Sequence, residues 1–352
     1  MSRTKAAAAP ATLRQVAQAA GVSTATASRV LNGVPGKAGE ETVARVREAA
    51  DRLAYRPLAA ARDLRRGRGD LVALLAPNLA NPTMAALAAA IEAALRQIGT
   101  GIVLFDTHDD AVRQDEAIAA ARALRPRATV FLGVVASPGL PVALGGQDRP
   151  VFILRRPPGA RAAPFIGMDD HMAGQRVAEA LREAGCRRLA AIHGPLYSSA
   201  TSARLDGFRA AAGRALMAKD VLAGAGRDHL EIGAAAARAL LRRGAPPDGV
   251  MCTSDLIAFA AHRVLAEAGC RLPALWGFDG GPLNAWVAPW LSSVVLPYAG
   301  IGAELRRWLE EDTLPEGGAI LPFELQPARD ASPCGAAAGR RYPSPTPRDE
   351  ES

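Results

Sequence analysis

Within TLRQVAQAAGVSTATASRVLN, Thr12 to Asn32, the groups able to do chemistry are the hydroxyls of Thr12, Ser23, Thr24, Thr26 and Ser28, the guanidinium of Arg29 and the amide of Asn32. None forms a nucleophile–base pair. Together they donate and accept hydrogen bonds, the chemistry that recognises phosphate oxygens and base edges rather than breaking bonds. Elsewhere the usual catalytic groups stand alone. His108, His171, His193, His229 and His262 show no metal-ligand spacing and no nucleophile–acid constellation. No glycine-rich phosphate loop occupies a strand–helix turn, and GGQDRP reads as a loop. Catalysis, metal and cofactor therefore have no sequence support.

The elements that must position the opening hydroxyls are two short helices. Thr12 can cap a helix from Leu13 to Ala20, and Gly21 supplies its left-handed stop. Ser23 caps the next, Thr24 to Leu31, which ends at Asn32-Gly33. Val16, Ala17 and Ala20 share one face, and Ala27, Val30 and Leu31 point back to it. That leaves Thr24, Ala25, Thr26, Ser28 and Arg29 on the outer side, the arrangement of a helix-turn-helix whose second helix fits the major groove. An ordinary helical hairpin whose hydroxyls are only caps gives the same pattern. A third helix over 40–53 carries Val43, Val46, Ala50 and Leu53 as its apolar stripe.

Charge favours the first reading. Residues 1–70 hold 13 Lys/Arg against 6 Asp/Glu, and the remainder of the chain is balanced, so the formal +7 lies in the first fifth. A basic module on a neutral body is the footprint of a polyanion-binding protein. At 352 residues the chain reads as two or three domains, with 49% hydrophobic residues to fill their cores. No apolar run is long enough for a membrane span, and the N-terminus lacks the apolar stretch of a signal peptide. Cys186, Cys252, Cys270 and Cys334 are scattered, which suits inert thiols in a reducing cytoplasm.

The residues from Thr12 to Asn32 resemble the headpiece of the LacI family of bacterial repressors, T-x-x-D/Q-V-A-x-x-A-G-V-S-x-x-T-V-S-R-V-L-N, with Ala27 in place of Val. Tyr55-Arg56-Pro57 resembles the family's exit from the headpiece, and Leu58 to Leu64 its hinge helix. The resemblance implies that Leu64, with Ala61 beside it, wedges into the minor groove and kinks the duplex. Leu64 tucked against the body is the other reading. Leu58 stands where the family caps the hinge helix, and Gly39 where it caps the third helix.

From Leu71 the chain alternates strand-like runs (LVALLAP, GIVLFD, ATVFLGV, PVFILR, FIGMD, LAAIHGP, GVMCTSD, ALWGFDG, SSVVLP) with helices over 84–98, 113–124, 173–183, 203–212, 233–243 and 256–268. The expected fold is a small all-α helix-turn-helix domain followed by an α/β two-lobed body of parallel sheets, resembling periplasmic sugar-binding proteins. The expected domains are a headpiece over 11–57, hinge and linker over 58–70, a two-lobed body over 71–326, and a Pro-, Gly- and Ser-rich tail over 327–352. Lobe one takes 71–167 and 297–312; lobe two takes 168–296 and 313–326.

Ligands of such sheets bind at strand carboxyl ends. Resemblance to the family's effector contacts nominates Thr83 and Met84 in NPTM, Arg204 in GPLYSSATSARLDGF, Ser254 and Asp255 in TSD, and Asp279 in WGFDG. A salt bridge at the cleft rim is the lesser reading of Arg204, and Asp255 and Asp279 can equally cap helices. Arg155 replaces a small polar residue, and Asp228, beside His229, falls where the family often has a stacking aromatic. A guanidinium in that cleft suggests an anionic effector, a sugar acid or phosphosugar. Arg155 paired with Asp228 would instead close the lobes without ligand.

The resulting expectation is a homodimeric, cytoplasmic bacterial regulator, nucleoid-associated when bound, that reads a palindromic operator in double-stranded DNA and is released by a small-molecule effector. A solute-binding protein sharing the body is the competing class, and an enzyme on that body the third.

Overall fold

The computed structural model describes residues 11–31, 38–55, 70–146, 148–160, 162–226, 228–244 and 247–329. They fall into a helical unit at the N-terminus and an α/β unit after it. The helical unit comprises α1 (Leu13–Ala19), α2 (Thr24–Leu31) and α3 (Glu40–Arg52). Thr12 and Gln15 close a reciprocal capping box at α1, and the Ser23 hydroxyl accepts the Thr26 N–H at 3.1 Å to start α2. Gly39 precedes α3 with no side-chain cap, as its type dictates. Val16, Ala17, Ala20, Ala27, Val30, Val46, Ala49 and Ala50 form the shared core. So small a core rests on methyl-sized contacts at close helix approach.

The α/β unit holds two six-stranded sheets. The strands are β1 (Leu71–Ala76), β2 (Gly101–Asp106), β3 (Ala128–Phe131), β4 (Pro150–Ile153), β5 (Phe165–Met168), β6 (Leu189–His193), β7 (Leu216–Ala223), β8 (Gly249–Cys252), β9 (Ala274–Asp279), β10 (Leu291–Val295), β11 (Ala319–Leu321) and β12 (Glu324–Gln326). The helices between them are α4 (Pro82–Arg96), α5 (Ala111–Ala123), α6 (Leu140–Gly145), α7 (Asp170–Glu183), α8 (Ser199–Ala212), α9 (His229–Arg242), α10 (Asp255–Glu267), α11 (Asn284–Val287) and α12 (Tyr298–Glu310). Lobe one carries the sheet β11-β5-β4-β3-β1-β2, lobe two β12-β10-β9-β8-β6-β7. The strand pairs described run parallel except β10–β12, which is antiparallel. Parallel strands buried on both faces explain the continuous apolar runs Leu71–Ala76 and Leu189–Ile192.

The segment expected to complete lobe two divides between the lobes. β11 pairs with β5 in lobe one and only β12 joins lobe two. Strands of three residues on sheet edges bury too little side chain to show which sheet they prefer. The cysteines also depart from expectation: Cys252 and Cys270 are free, but Cys186 is disulfide-bonded. Among the described residues no helix is long and apolar enough to cross a membrane.

Candidate functional site

The helical unit turns one face of α2 to solvent. Thr24, Ala25 and Arg29 are exposed and Thr26 is half-buried, while Ala27 and Val30 turn into the core. Ser28 departs from the expected outer position: it is 5% exposed, because a residue next to Ala27 on so short a helix falls at the edge of the packed face. Ser23 and Thr12 are spent on caps, yet their hydroxyl oxygens lie at exposed helix starts. Tyr55 packs against the core cluster at the end of this unit. Asn32, Ala61 and Leu64 lie outside the described residues.

The second set of candidates gathers where the strand ends of the two lobes face each other. The chain is strained at several of these ends. Leu154 has φ 63° and the Arg155 N–H donates to the Ile153 carbonyl at 2.7 Å, a tight γ-turn just past β4. His108 and Asp109 are both left-handed just past β2, and Asp279 ends β9 at φ 119°. Such conformations persist where surrounding packing over-determines them, and they concentrate at ligand sites.

Asp279 is 7% exposed. The Thr83 hydroxyl of lobe one and the Asp255 N–H of lobe two face its carboxyl and favour its charged form. Its carbonyl accepts the Tyr298 hydroxyl at 2.9 Å, again from lobe one. Burial, then the neighbouring Asp255 carboxyl, pushes its pKa up to about 7, against the pull of Arg204. Asp255 itself accepts from Ser293 Oγ at 2.7 Å, Asn284 Nδ2 at 2.7 Å and the Gly280 N–H at 2.9 Å. These partners all sit in lobe two, so Asp255 ties the β9–β10 region together; burial lifts its pKa to about 6.

Arg204 is buried on α8. Its Nε donates to Asp170 at 2.7 Å and its Nη1 to the Thr253 carbonyl at 3.0 Å, with the guanidinium 4.4 Å from the centre of the Phe278 ring. Two close approaches between α7 and α8 set this geometry. A Cβ at Gly174 would strike the Arg204 carbonyl, and one at Gly207 the His171 carbonyl. Burial raises the Asp170 pKa in spite of Arg204.

Arg155 does not meet Asp228. It pairs at 3.1 Å with Asp109, also of lobe one. Asp228 is exposed and caps α9, accepting the Glu231 N–H at 2.9 Å, since an acceptor at that position satisfies the free helix N–H groups. The ring that enters the cleft belongs to the next residue, His229. Its Nδ1 lies 2.8 Å from Ser254 Oγ, and burial, then Arg155, lower its pKa to about 4. It therefore presents a neutral imidazole. Tyr197, 59% exposed, feels Asp109 and Arg155 across the cleft, with burial as the larger cause of its raised pKa. The Arg156 N–H donates to Ser199 Oγ at 2.8 Å, another bond between lobes. Met84 turns away into the hydrophobic core with Leu87 and Ile91.

Asp109, Tyr197 and His229 were missed as cleft residues. His229 alone left a signal, being one position from the nominated aromatic site. No group of three or more His, Cys, Asp or Glu able to hold a metal occurs among the described residues.

The pattern of bacterial regulatory proteins of the lacI family matches residues 12–57, and that of periplasmic binding proteins and the sugar-binding domain of the LacI family matches 70–275. The chain belongs to the LacI family. The ribose operon repressor of Halalkalibacterium halodurans is 29% identical over 85% of this chain and 89% of its own length. Regulator CelR of Thermobifida fusca is 32% identical over 85% and 90%. The lac repressor dimer bound to operator and the anti-inducer ONPF superposes with a TM-score of 0.79 at 22% identity, covering 92% of this chain and all of that one. This LacI-family protein is thus a DNA-binding transcriptional regulator whose headpiece is followed in sequence by a two-lobed sugar-binding-type domain.

Proposed function

We propose that this regulator is a cytoplasmic repressor that binds a palindromic operator as a homodimer and leaves it when a small sugar enters the cleft. The observation that carries the reading is the outer face of α2: Thr24, Ala25 and Arg29 are solvent-exposed while its other face is locked into the headpiece core. Arg29 suits a guanine edge or a phosphate, and the small Thr24 and Ala25 suit thymine methyls and bridging water. Leu64, by resemblance, opens the central step of the operator. The relatives named as a ribose operon repressor and the operator-bound lac repressor favour repression over activation.

The effector we favour is a neutral sugar. Arg155, the cation that would favour an anionic effector, is already matched by Asp109. Arg204 is likewise matched by Asp170. What remains is a row of neutral and paired groups, His229, Ser254, Tyr197 and Thr83, suited to hydroxyls. Effector contacts at Arg204, Asp279 and His229 would alter lobe orientation and weaken operator binding by about 1–3 kcal/mol, the usual allosteric range. A second reading, a regulator without ligand response, draws on one observation: the cleft's polar side chains already satisfy one another.

Selection of operators from random duplexes, followed by displacement with neutral sugars and sugar acids at fixed salt, tests both parts. Displacement by neutral sugars alone supports the effector assignment, displacement by sugar acids alone reverses it, and no displacement favours the second reading.

A further inference from the structure

The end of lobe one at which the linker enters carries a cation that the body itself does not use. β1 begins at Leu71, and the Arg127 N–H donates to the Leu71 carbonyl at 2.8 Å. Val72 then pairs with Ala128, so the turn between α5 and β3 is fastened to the first residue after the linker. Leu124–Arg127 belongs with Met1–Leu71 in one compact unit. Within the turn Leu124 and Arg125 are exposed, and Arg125 is left-handed at φ 49° just before Pro126. That conformation is costly for a residue with a Cβ, and the strand pairing just beyond it holds the turn in place.

Two carboxylates at this end are already taken. Asp148 accepts from Arg122 Nε at 2.9 Å, and Asp312 from Arg149 Nη1 at 2.7 Å. Arg125 forms no ion pair among the described residues. The linker adds charge of the same sign, since RRGRGD immediately before Leu71 contains Arg65, Arg66 and Arg68. A guanidinium shown to solvent on a fixed turn suits a phosphate, which it can meet with two parallel N–H donors. An acidic protein surface would satisfy Arg125 alone. DNA satisfies the linker arginines as well, because the chain that carries them leads from the DNA-binding headpiece.

We propose that the Leu124–Arg127 turn is a second DNA contact, at which Arg125 of each subunit grips a backbone phosphate and adds affinity without reading sequence. The inference rests on the regulatory reading and extends DNA contact from the headpiece to the body. Phosphate contacts carry no base information, so specificity stays with α2. Each neutralised phosphate releases condensed counterions, which makes the contact visible in the salt dependence of binding.

The test titrates the full-length protein with a random-sequence DNA duplex over a series of salt concentrations, so no operator need be known. Arg125→Gln should reduce the slope of log affinity against log salt by about 0.9 for each subunit bound. Binding at low salt should weaken several-fold, with the melting temperature unchanged. Arg125→Lys should restore the slope, because an ammonium also neutralises a phosphate. Arg113→Gln removes another exposed charge, near the opposite end of α5, and should match wild type in both quantities. A wild-type slope in Arg125→Gln overturns the contact and leaves the regulatory reading standing. An equal fall in Arg113→Gln also overturns it, by showing a general effect of net charge. A wild type that binds no duplex at any salt would sink the regulatory reading, and this contact with it.

Discussion

The guanidinium of Arg204 lies among Asp170, the Thr253 carbonyl and the Phe278 ring, so in this state it serves the protein before any ligand. Removing one member of a buried ion pair leaves the other charged in a poor dielectric, at a cost of about 3–5 kcal/mol. Arg204→Met should accordingly destabilise the body by that order, seen as a lowered denaturant midpoint, whereas Arg204→Met with Asp170→Asn together should recover much of it. At the reader, Arg29→Ala should weaken operator binding by about 1–3 kcal/mol if the side chain meets a guanine edge, with relaxed preference at that base pair. Loss confined to a shallower salt dependence would place it on a phosphate instead. His262 stacks on Trp290 at 3.6 Å, and burial lowers its pKa to about 4. The folded form disfavours the charged ring, so His262 contributes stability above about pH 6.5 that is lost as pH falls towards 4. His262→Phe should flatten the fall in melting temperature across that window; an unchanged slope would contradict it.

At the scale of elements, helix starts and close approaches position the site. Ser198, Asp228 and Ser254 each accept a backbone N–H at the head of a helix, and these heads are the cleft edge. This is why α8, α9 and α10 begin one to four residues before the apolar periodicity does: capping residues and the polar first turn carry no period. The same fact misplaced the ring in the cleft. At the head of α9 Asp228 turns out to accept the Glu231 N–H while His229, the next residue, turns in to Ser254. β7 was invisible for another reason: as an edge strand it exposes Met217, Ala218 and Lys219 together and shows neither alternation nor a buried run. Asp109 depends on two consecutive left-handed residues, which no side-chain pattern announces. The headpiece was legible almost residue by residue, since its caps and core positions are local. Gly207→Ala should drive a methyl group into the His171 carbonyl and separate α7 from α8. The expected cost is about 2 kcal/mol or more, with a lowered melting temperature, and a neutral result would show that the helices can yield. Gly39→Ser should stabilise the headpiece by a few tenths of a kcal/mol, about the usual gain of a hydroxyl cap over glycine, measurable as slower amide exchange in α3.

At the scale of the molecule, a basic N-terminal module and a neutral two-lobed body divide the work between gripping DNA and sensing a small molecule. The body's chain passes between lobes more than once, so no lobe folds from a single stretch, and a change at the cleft is carried by several connections at once. The central claim is that the outer face of α2 reads a palindrome. Its most direct measurement is selection from random duplex DNA by the full-length protein at fixed, stated salt, since phosphate contacts make affinity salt-dependent. The account predicts an enriched palindrome whose binding weakens when Arg29 is replaced, with lost base preference if it meets a guanine edge or a shallower salt dependence if it meets a phosphate. Enrichment of nothing beyond nonspecific sequence, or binding whose strength and salt dependence are both unchanged when Arg29 is replaced, would contradict it.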